Sequence, residues 1–504
     1  MSAEGTERLE GAKLTGASSG AFPLVAESRG ELLRAALALL FLIAFLLFYT
    51  NADIFLRSRG WLPLPPTLLL PVLFLPLLVA VARRELEDPR RPSPLLTALW
   101  SSRWGLLPLA VIAALGLLFS LHPGAYWGEG AKYVLLPIYD LGVCLLGLAA
   151  GTLPPVRRRW RTVLGSALAL LVITALWDVL QPGTFSKQMG RAAGLPANAN
   201  MTAFAVVAAA AALLDPRRLR LGHGVVLGGV ALALLATLSR GGALLFVVLL
   251  LTYGVTHLVL RSRRTTEAAV RAETATAKRR RRWLVLALVV VLVVTVGGAL
   301  WAAYQGVGMF DRPTARSRLG MLTGEQGWVS QDTGRFSLLQ SVWMQIGEAP
   351  ILGHGTGAGY GFARASHNFY LESWRQWGLG GLAASLALPL GLLFCFLSRR
   401  FWAGGQVALL LGLWALLHHG VLDDRGLMLL LGLLLAVSAP AAVTPTRGVE
   451  IPQAGIPGAV DSEAVDSEAV DSEAVDSEAV DSEAVDSEAV DSEAVDSRGI
   501  ESTA

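Results

Sequence analysis

The run 376-QWGLGGLAASLALPLGLLFCFL-397 carries no charged side chain in 22 residues. As a helix rising about 1.5 Å per residue it reaches about 33 Å, enough to cross a hydrocarbon core of about 30 Å. A helix on the surface of a soluble core needs a polar face, and this run has none. Similar apolar blocks lie at 33–49, 64–82, 104–120, 132–151, 162–180, 200–214, 224–238, 241–260, 283–303, 405–419 and 424–440. Together they predict an all-α polytopic membrane protein with about 12 transmembrane helices, since helices are how apolar segments close their backbone hydrogen bonds in lipid. The blocks at 200–214, 224–238 and 405–419 are short. Only 239-SRGG-242 separates 224–238 from 241–260, so those two could instead form one long bent span.

Composition agrees. Of 504 residues, 53% are hydrophobic and 16% are charged, against about a quarter charged in an ordinary soluble domain. Cys144 and Cys395 sit inside apolar runs, and no C-x-x-C occurs, so a disulfide framework is not indicated. The first 30 residues are polar and mixed in charge, without the basic-then-apolar pattern of a secretory signal, so the first apolar run is expected to be an uncleaved membrane helix. At the other end, residues 459–498 are seven AVDSE units and one AVDSR, with a net charge of −14 against +3 for the whole chain. The rest of the chain is therefore strongly basic. A five-residue period with one valine per unit cannot bury a core, so 441–504 reads as a disordered acidic tail.

The basic excess orients the chain. With the N-terminus inside, the inner loops hold RRELEDPRR (83–91), RRRWR (157–161), RRLR (217–220), nine Lys or Arg within 261–282, and SRR (398–400). The outer loops are poorer in cations for their length, as the positive-inside rule requires. The expected organisation is a cytoplasmic segment at 1–30, nine helices over 31–303, one large outer loop at 304–375 between the ninth and tenth, and three helices over 376–440. The tail at 441–504 is then cytoplasmic, as are both termini. In a bacterium the host membrane is the inner membrane and the outer side is the periplasm.

The exceptions to that pattern carry the functional signal. Four outer segments place arginine beside apolar sequence: 190-GRAAGLPANAN-200, 238-LSRGG-242, 334-GRFSLLQSVW-343 and 366-SHNFYLESWRQWGLGGL-382. Arg240 sits in a near-absent loop, where partial dehydration calls for an anionic, carbonyl or headgroup partner. Snorkelling toward lipid phosphates explains it equally well. Arg191 precedes Gly194, Pro196, Asn198 and Asn200, which suit either a ligand role or a turn that caps the next helix. In the long loop, 334–347 reads as a helix, and 350-PILGHGTGAGYG-361 as a glycine-rich turn able to approach a ligand. It lacks the GxxxxGK[ST] pattern, so a nucleotide P-loop is not supported.

His367 opens the last of these segments. A lone histidine is more often structural than catalytic. Yet a neutral imidazole at the membrane boundary can take a proton from a hydroxyl near pH 7. If the helix runs through it, His367 shares a face with Leu371 and Trp374 while Glu372 points elsewhere, so Glu372 is not assigned as its partner. No metal-ligand spacing stands out among the histidines and acids, and no cofactor is indicated.

These pieces resemble one family. His367-Asn368, nine residues, then Gly378-Leu379-Gly380-Gly381 is similar to the H-[NSQ]-x9-G-x-x-G signature of O-antigen ligases. Arg335-Phe336-Ser337-Leu338-Leu339 resembles their R-x3-L element, and Ser239-Arg240-Gly241 their arginine at the outer end of a span. The N-x-N at Asn198–Asn200, after R-x-x-G at Arg191–Gly194, recurs in the wider superfamily. The resemblance covers roughly residues 30–440. It implies a metal-independent, inverting glycosyltransferase in the inner membrane, acting on its periplasmic face. The donor would be an undecaprenyl diphosphate-linked glycan and the acceptor lipid A–core, with membrane lipids around the chain and no nucleotide or nucleic acid. His367, Arg240 and Arg335 take catalytic roles on this reading, and Arg191, Arg240, Arg335, Asn200 and Asn368 bind substrate. O-antigen polymerases and protein O-oligosaccharyltransferases share the layout and remain alternatives. A lipid-linked sugar transporter fits less well, because the unusual charges gather on one face and no internal repeat lies outside the tail.

Overall fold

The computed structural model describes residues 21–62, 75–76, 79, 93–126, 131–186, 190–217, 220–268, 335–358, 366–418, 420–422 and 424–440. The chain divides into two units, Met1–Thr444 and Pro445–Ala504. Outside the described residues lie the AVDSE tail, the first twenty residues, almost all of 64–82, the whole of 283–303, and 304–334 and 359–365 of the long loop.

The described residues are helical and contain no strand. In chain order the helices are α1 (Ala21–Tyr49), α2 (Ala52–Ser58), α3 (Pro94–Ser101), α4 (Arg103–Leu118), α5 (Ala131–Gly151), α6 (Pro154–Leu180), α7 (Ala199–Leu213), α8 (Leu221–Thr237), α9 (Arg240–Ala268), α10 (Arg335–Glu348), α11 (Phe369–Ser398), α12 (Trp402–Leu417) and α13 (Arg425–Ser438). Four stretches are long and apolar enough to cross a membrane: Arg103–Leu121, Pro154–Leu180, Arg240–Leu260 and Phe369–Ser398. A fifth is the pair α1 and α2, bent by 71° at Asn51, where φ is 54°. Five expected spans are instead shorter apolar helices: Leu135–Gly151, Ala199–Leu213, Leu221–Thr237, Trp402–Leu417 and Arg425–Ser438. A 15-residue helix reaches only about 22 Å, short of the hydrocarbon thickness. Ten of the twelve expected spans thus coincide with described apolar helices, and half of those ten fall below spanning length. The possible single span over 224–260 is two helices, separated where Leu238 turns to φ 47°.

The centre is set by α7, whose residues 202–212 are all buried. Its alanines permit close approach on every side, as lipid-embedded packing favours. Tyr49 on α1 donates to the Ala205 carbonyl at 2.8 Å, and Phe204 stacks on Trp414 of α12 at 4.8 Å. α5 and α13 approach backbone to backbone: a Cβ at Gly432 would lie 1.9 Å from the Cys144 carbonyl.

Hydrogen bonds distinguish the two ends of the bundle. At the C-terminal end of α13, Arg157 donates to the carbonyls of Val437 and Ala439 at 3.0 and 3.4 Å. Arg399 donates there to Leu435 and to Ser438 Oγ. Cations on helix-terminal carbonyls match the negative end of the helix dipole. At the opposite end of α13, Arg425 meets Asp53 of α2 at 3.0 Å, with Asp53 fully buried. Breaking a buried pair by removing one partner costs about 3–5 kcal/mol. Asp53→Ala is therefore expected to lower the thermal midpoint of the detergent-solubilised protein sharply, and Asp53→Leu with Arg425→Leu to recover most of the loss. Light-scattering melts of the three proteins check this.

Candidate functional site

The arginine-rich corner is built from the end of α6 outward. Asp178 is buried, and its carboxylate accepts from the backbone N–H groups of Phe185 (3.1 Å), Ser186 (3.1 Å) and Ala193 (2.8 Å). A buried carboxylate needs such donors to offset lost hydration. It thereby folds the connection to α7 back over the helix end. Ala192 N–H reaches the Ala236 carbonyl at 3.2 Å. This places Arg191 against the end of α8, where its Nε donates to the Thr237 carbonyl at 3.0 Å and its Nη2 to Asn200 Oδ1 at 2.6 Å.

Asn200 Oδ1 also accepts from Ser239 Oγ at 3.1 Å, and Ser239 Oγ accepts from Gly242 N–H at 3.2 Å. Ser239 thus caps the first turn of α9, and Arg240 follows as its first residue, exposed. Arg191, Asn200 and Ser239 form one chain of hydrogen bonds, with Arg240 next in sequence. A guanidinium at a helix N-terminus adds a full charge to the positive end of the dipole, which suits an anion.

His367 and Asn368 precede α11. Asn368 Oδ1 accepts from the N–H groups of Tyr370 and Leu371 at 3.0 and 3.1 Å, so this oxygen caps the helix. His367 is exposed, just outside the first turn. Tyr370 reaches the Gly412 carbonyl of α12 at 2.8 Å. Further along α12, a Cβ on Gly241 would meet Leu417 and Trp414. Both groups therefore stand at one end of the bundle, against the C-terminal part of α12.

Behind His367 lies a buried polar network. Arg375, 1% exposed, pairs with Glu372 through Nη2 at 2.7 and 2.5 Å. Its Nη1 reaches Gln345 Oε1 on α10 at 3.1 Å. Gln376 Nε2 donates to Glu372 at 2.7 Å, and its Oε1 accepts from Gly357 N–H at 3.0 Å. The described part of the glycine-rich turn, up to Ala358, packs on protein backbone. His354 and Gly355 N–H groups bond the carbonyls of Arg375 and Gln376, both at 2.9 Å. Of the three glycines at the start of the apolar run, Gly378 does more than pack helices. Helix α11 breaks at Trp377–Gly378, with Gly378 at φ 61°, ψ −155°. A Cβ at Gly378 would sit 1.8 Å from the Ile351 carbonyl.

The expected helix at 334–347 is α10, Arg335–Glu348. Arg335 opens it, and its side chain lies outside the described set. Sequence reasoning missed Asp178 as an organiser, Ser239 as a cap, and the Glu372–Arg375 pair. Charge inside an apolar run was the available signal for Asp178. The helix starts at Phe369 and does not run through His367, and the Glu372 carboxylate faces back to Ser366. Among the described residues no group of three or more His, Cys, Asp or Glu is placed to hold a metal ion.

Several apolar helices of spanning length point to a multi-pass membrane protein. Residues 223–386 match the family model described as O-antigen ligase. That stretch includes Arg240, Arg335, His367 and Asn368, and over it the chain is similar to the O-antigen ligase family. Arg191 and Asn200 precede it. No curated protein matches the chain.

Asp178→Ala leaves three backbone donors without their acceptor, a loss on the order of 1–3 kcal/mol for each that stays dry. The variant is expected to exchange amide hydrogens faster over 181–193 and to lose activity. Asp178→Asn should fall between, because its amide oxygen still accepts. Hydrogen-exchange mass spectrometry reads the order directly.

Proposed function

We propose that the chain transfers O-antigen polysaccharide from undecaprenyl diphosphate to lipid A–core on the periplasmic face of a bacterial inner membrane, completing lipopolysaccharide. The observation that carries this reading is that Tyr370, three residues after exposed His367, and Gly241, next to Arg240, both pack on the 412–417 part of α12. The family match supports the glycosyltransferase chemistry.

The proposed step is a single displacement at the donor sugar's anomeric carbon, without a metal. His367 accepts the proton of an acceptor hydroxyl as its oxygen forms the new glycosidic bond. The bond to the diphosphate breaks, and its electron pair leaves with the phosphate oxygen, which inverts the anomeric centre. Arg240, with Arg335 from the start of α10, stabilises the charge growing there; Arg forks suit phosphate. Arg191 holds Asn200 and the backbone before Arg240, and Asn368 sets the helix start beside His367. Energy resides in the lipid diphosphate, so no nucleotide is consumed. The donor glycan, the lipid A–core acceptor and the surrounding membrane lipids are the partners on this reading.

His367→Ala is expected to lower turnover by about 10²–10⁴-fold. Arg240→Ala and Arg335→Ala should each raise the barrier by roughly 3 kcal/mol, by analogy with a lost oxyanion donor. Long-chain lipopolysaccharide on gels, at matched expression, checks all three; its persistence in each would sink the assignment. Offering purified protein one lipid-linked donor with lipid A–core, a second lipid-linked unit or a Ser/Thr peptide separates ligase from polymerase and protein transferase.

A further inference from the structure

We propose that Glu372 is the positioning residue for His367, with Arg375 and Gln376 fastening it to α10 and to the 353–357 turn. This rests on the reading of His367 as the base that activates the acceptor hydroxyl.

His367 is exposed and precedes the helix, and the backbone on either side of it is held in place. Both sides lead to Glu372. Its Oε2 accepts from Ser366 N–H at 3.1 Å and lies 3.2 Å from Ser366 Oγ. The same hydroxyl reaches the Asn368 carbonyl at 2.8 Å, so its one proton is shared between the two oxygens. Asn368 N–H in turn bonds the Ser366 carbonyl at 2.5 Å. The peptide groups before and after the histidine are thus closed into one turn, with a single carboxylate at its base.

That carboxylate cannot drift. Arg375 grips both of its oxygens, and Gln376 takes one of them. Arg375 is held by Gln345 of α10, and Gln376 by Gly357. α10 is the helix that Arg335 opens, so the network ties the element carrying one proposed site residue to the turn carrying the other. Stability alone does not require an ion pair here. Apolar residues of similar volume often replace a buried pair without loss of stability. What apolar residues cannot supply is an acceptor for Ser366.

This difference gives the experiment. The full-length protein in nanodiscs is assayed with an undecaprenyl diphosphate-linked glycan and lipid A–core. Glu372→Leu with Arg375→Leu is expected to fold with a moderately lowered melting midpoint, because Ser366 N–H and Gln376 Nε2 lose their acceptor. Its kcat should fall by about 10²-fold, the scale of an ångström-level misplacement, with both KM values unchanged. Glu372→Gln with Arg375→Leu restores the acceptor and should recover most of kcat. Carbethoxylation of His367 by diethyl pyrocarbonate, followed by peptide mass spectrometry across pH, should shift in rate and midpoint in the leucine pair and return in the glutamine variant. Wild-type kcat with an unchanged His367 profile in the leucine pair overturns the proposal. So does a kcat loss that glutamine fails to rescue. If the leucine pair does not fold, Ser366→Ala decides instead: one lost hydrogen bond predicts a kcat lower by about 2–10-fold, and wild-type turnover overturns the idea. His367→Ala separates the two levels. Wild-type turnover there removes the base reading, while the carbethoxylation profiles still report whether Glu372 places the imidazole.

Discussion

Hydrocarbon offers no water to backbone or side chain, and the ends of this bundle are shaped by that constraint. Inside the bundle, Tyr49 finds the Ala205 carbonyl. At its ends the polar groups gather. Arg157 and Arg399 take helix-terminal carbonyls at one end, and Asp178 takes a fan of backbone N–H groups at the other. A charge that must be satisfied at a boundary fixes whatever it touches. The ordered corner around Arg191 is a direct result of one acid that the membrane does not tolerate unpaired.

Apolar stretches were readable from residue type alone, because span length and lack of charge are local properties. All-helical architecture and ten helix positions follow from them. Length was harder to read. Blocks such as 405–419 look like spans, yet Trp402–Leu417 is too short to cross alone, and its role is to pack between α11, α8's neighbour α9, and α7. At the site, Arg191, Arg240 and His367 stood out by type and place. Their supports did not, since Asp178 reaches Ala193 across 15 residues and Gln345 reaches Arg375 across 30. Separations of that kind carry no periodic signal. The side-chain oxygen of Asn368 caps the first turn of α11, a role that residue type alone does not separate from substrate contact.

Two modes of holding a functional group coexist here. Arg240 is carried by helix geometry, as the first residue after a cap, so its position follows from where α9 begins. His367 is carried by side-chain anchoring, through Ser366 and a buried acid that belongs to the next turn. The first is stiff by construction. The second depends on a network that spans three segments, and is correspondingly open to tuning by residues remote from the imidazole.

The break at Trp377–Gly378 has a mechanical side. Beyond it, residues 379–398 form a helix of about 30 Å, matched to a bilayer. Membrane helices adjust to bilayers of different thickness by tilting. An unbroken helix would carry that tilt to its N-terminus and swing the histidine through an arc. Here the last turn before the break is bonded to the 354–357 turn instead. The height of His367 is therefore referenced to the surrounding protein, and the span beneath it is left to follow the lipid.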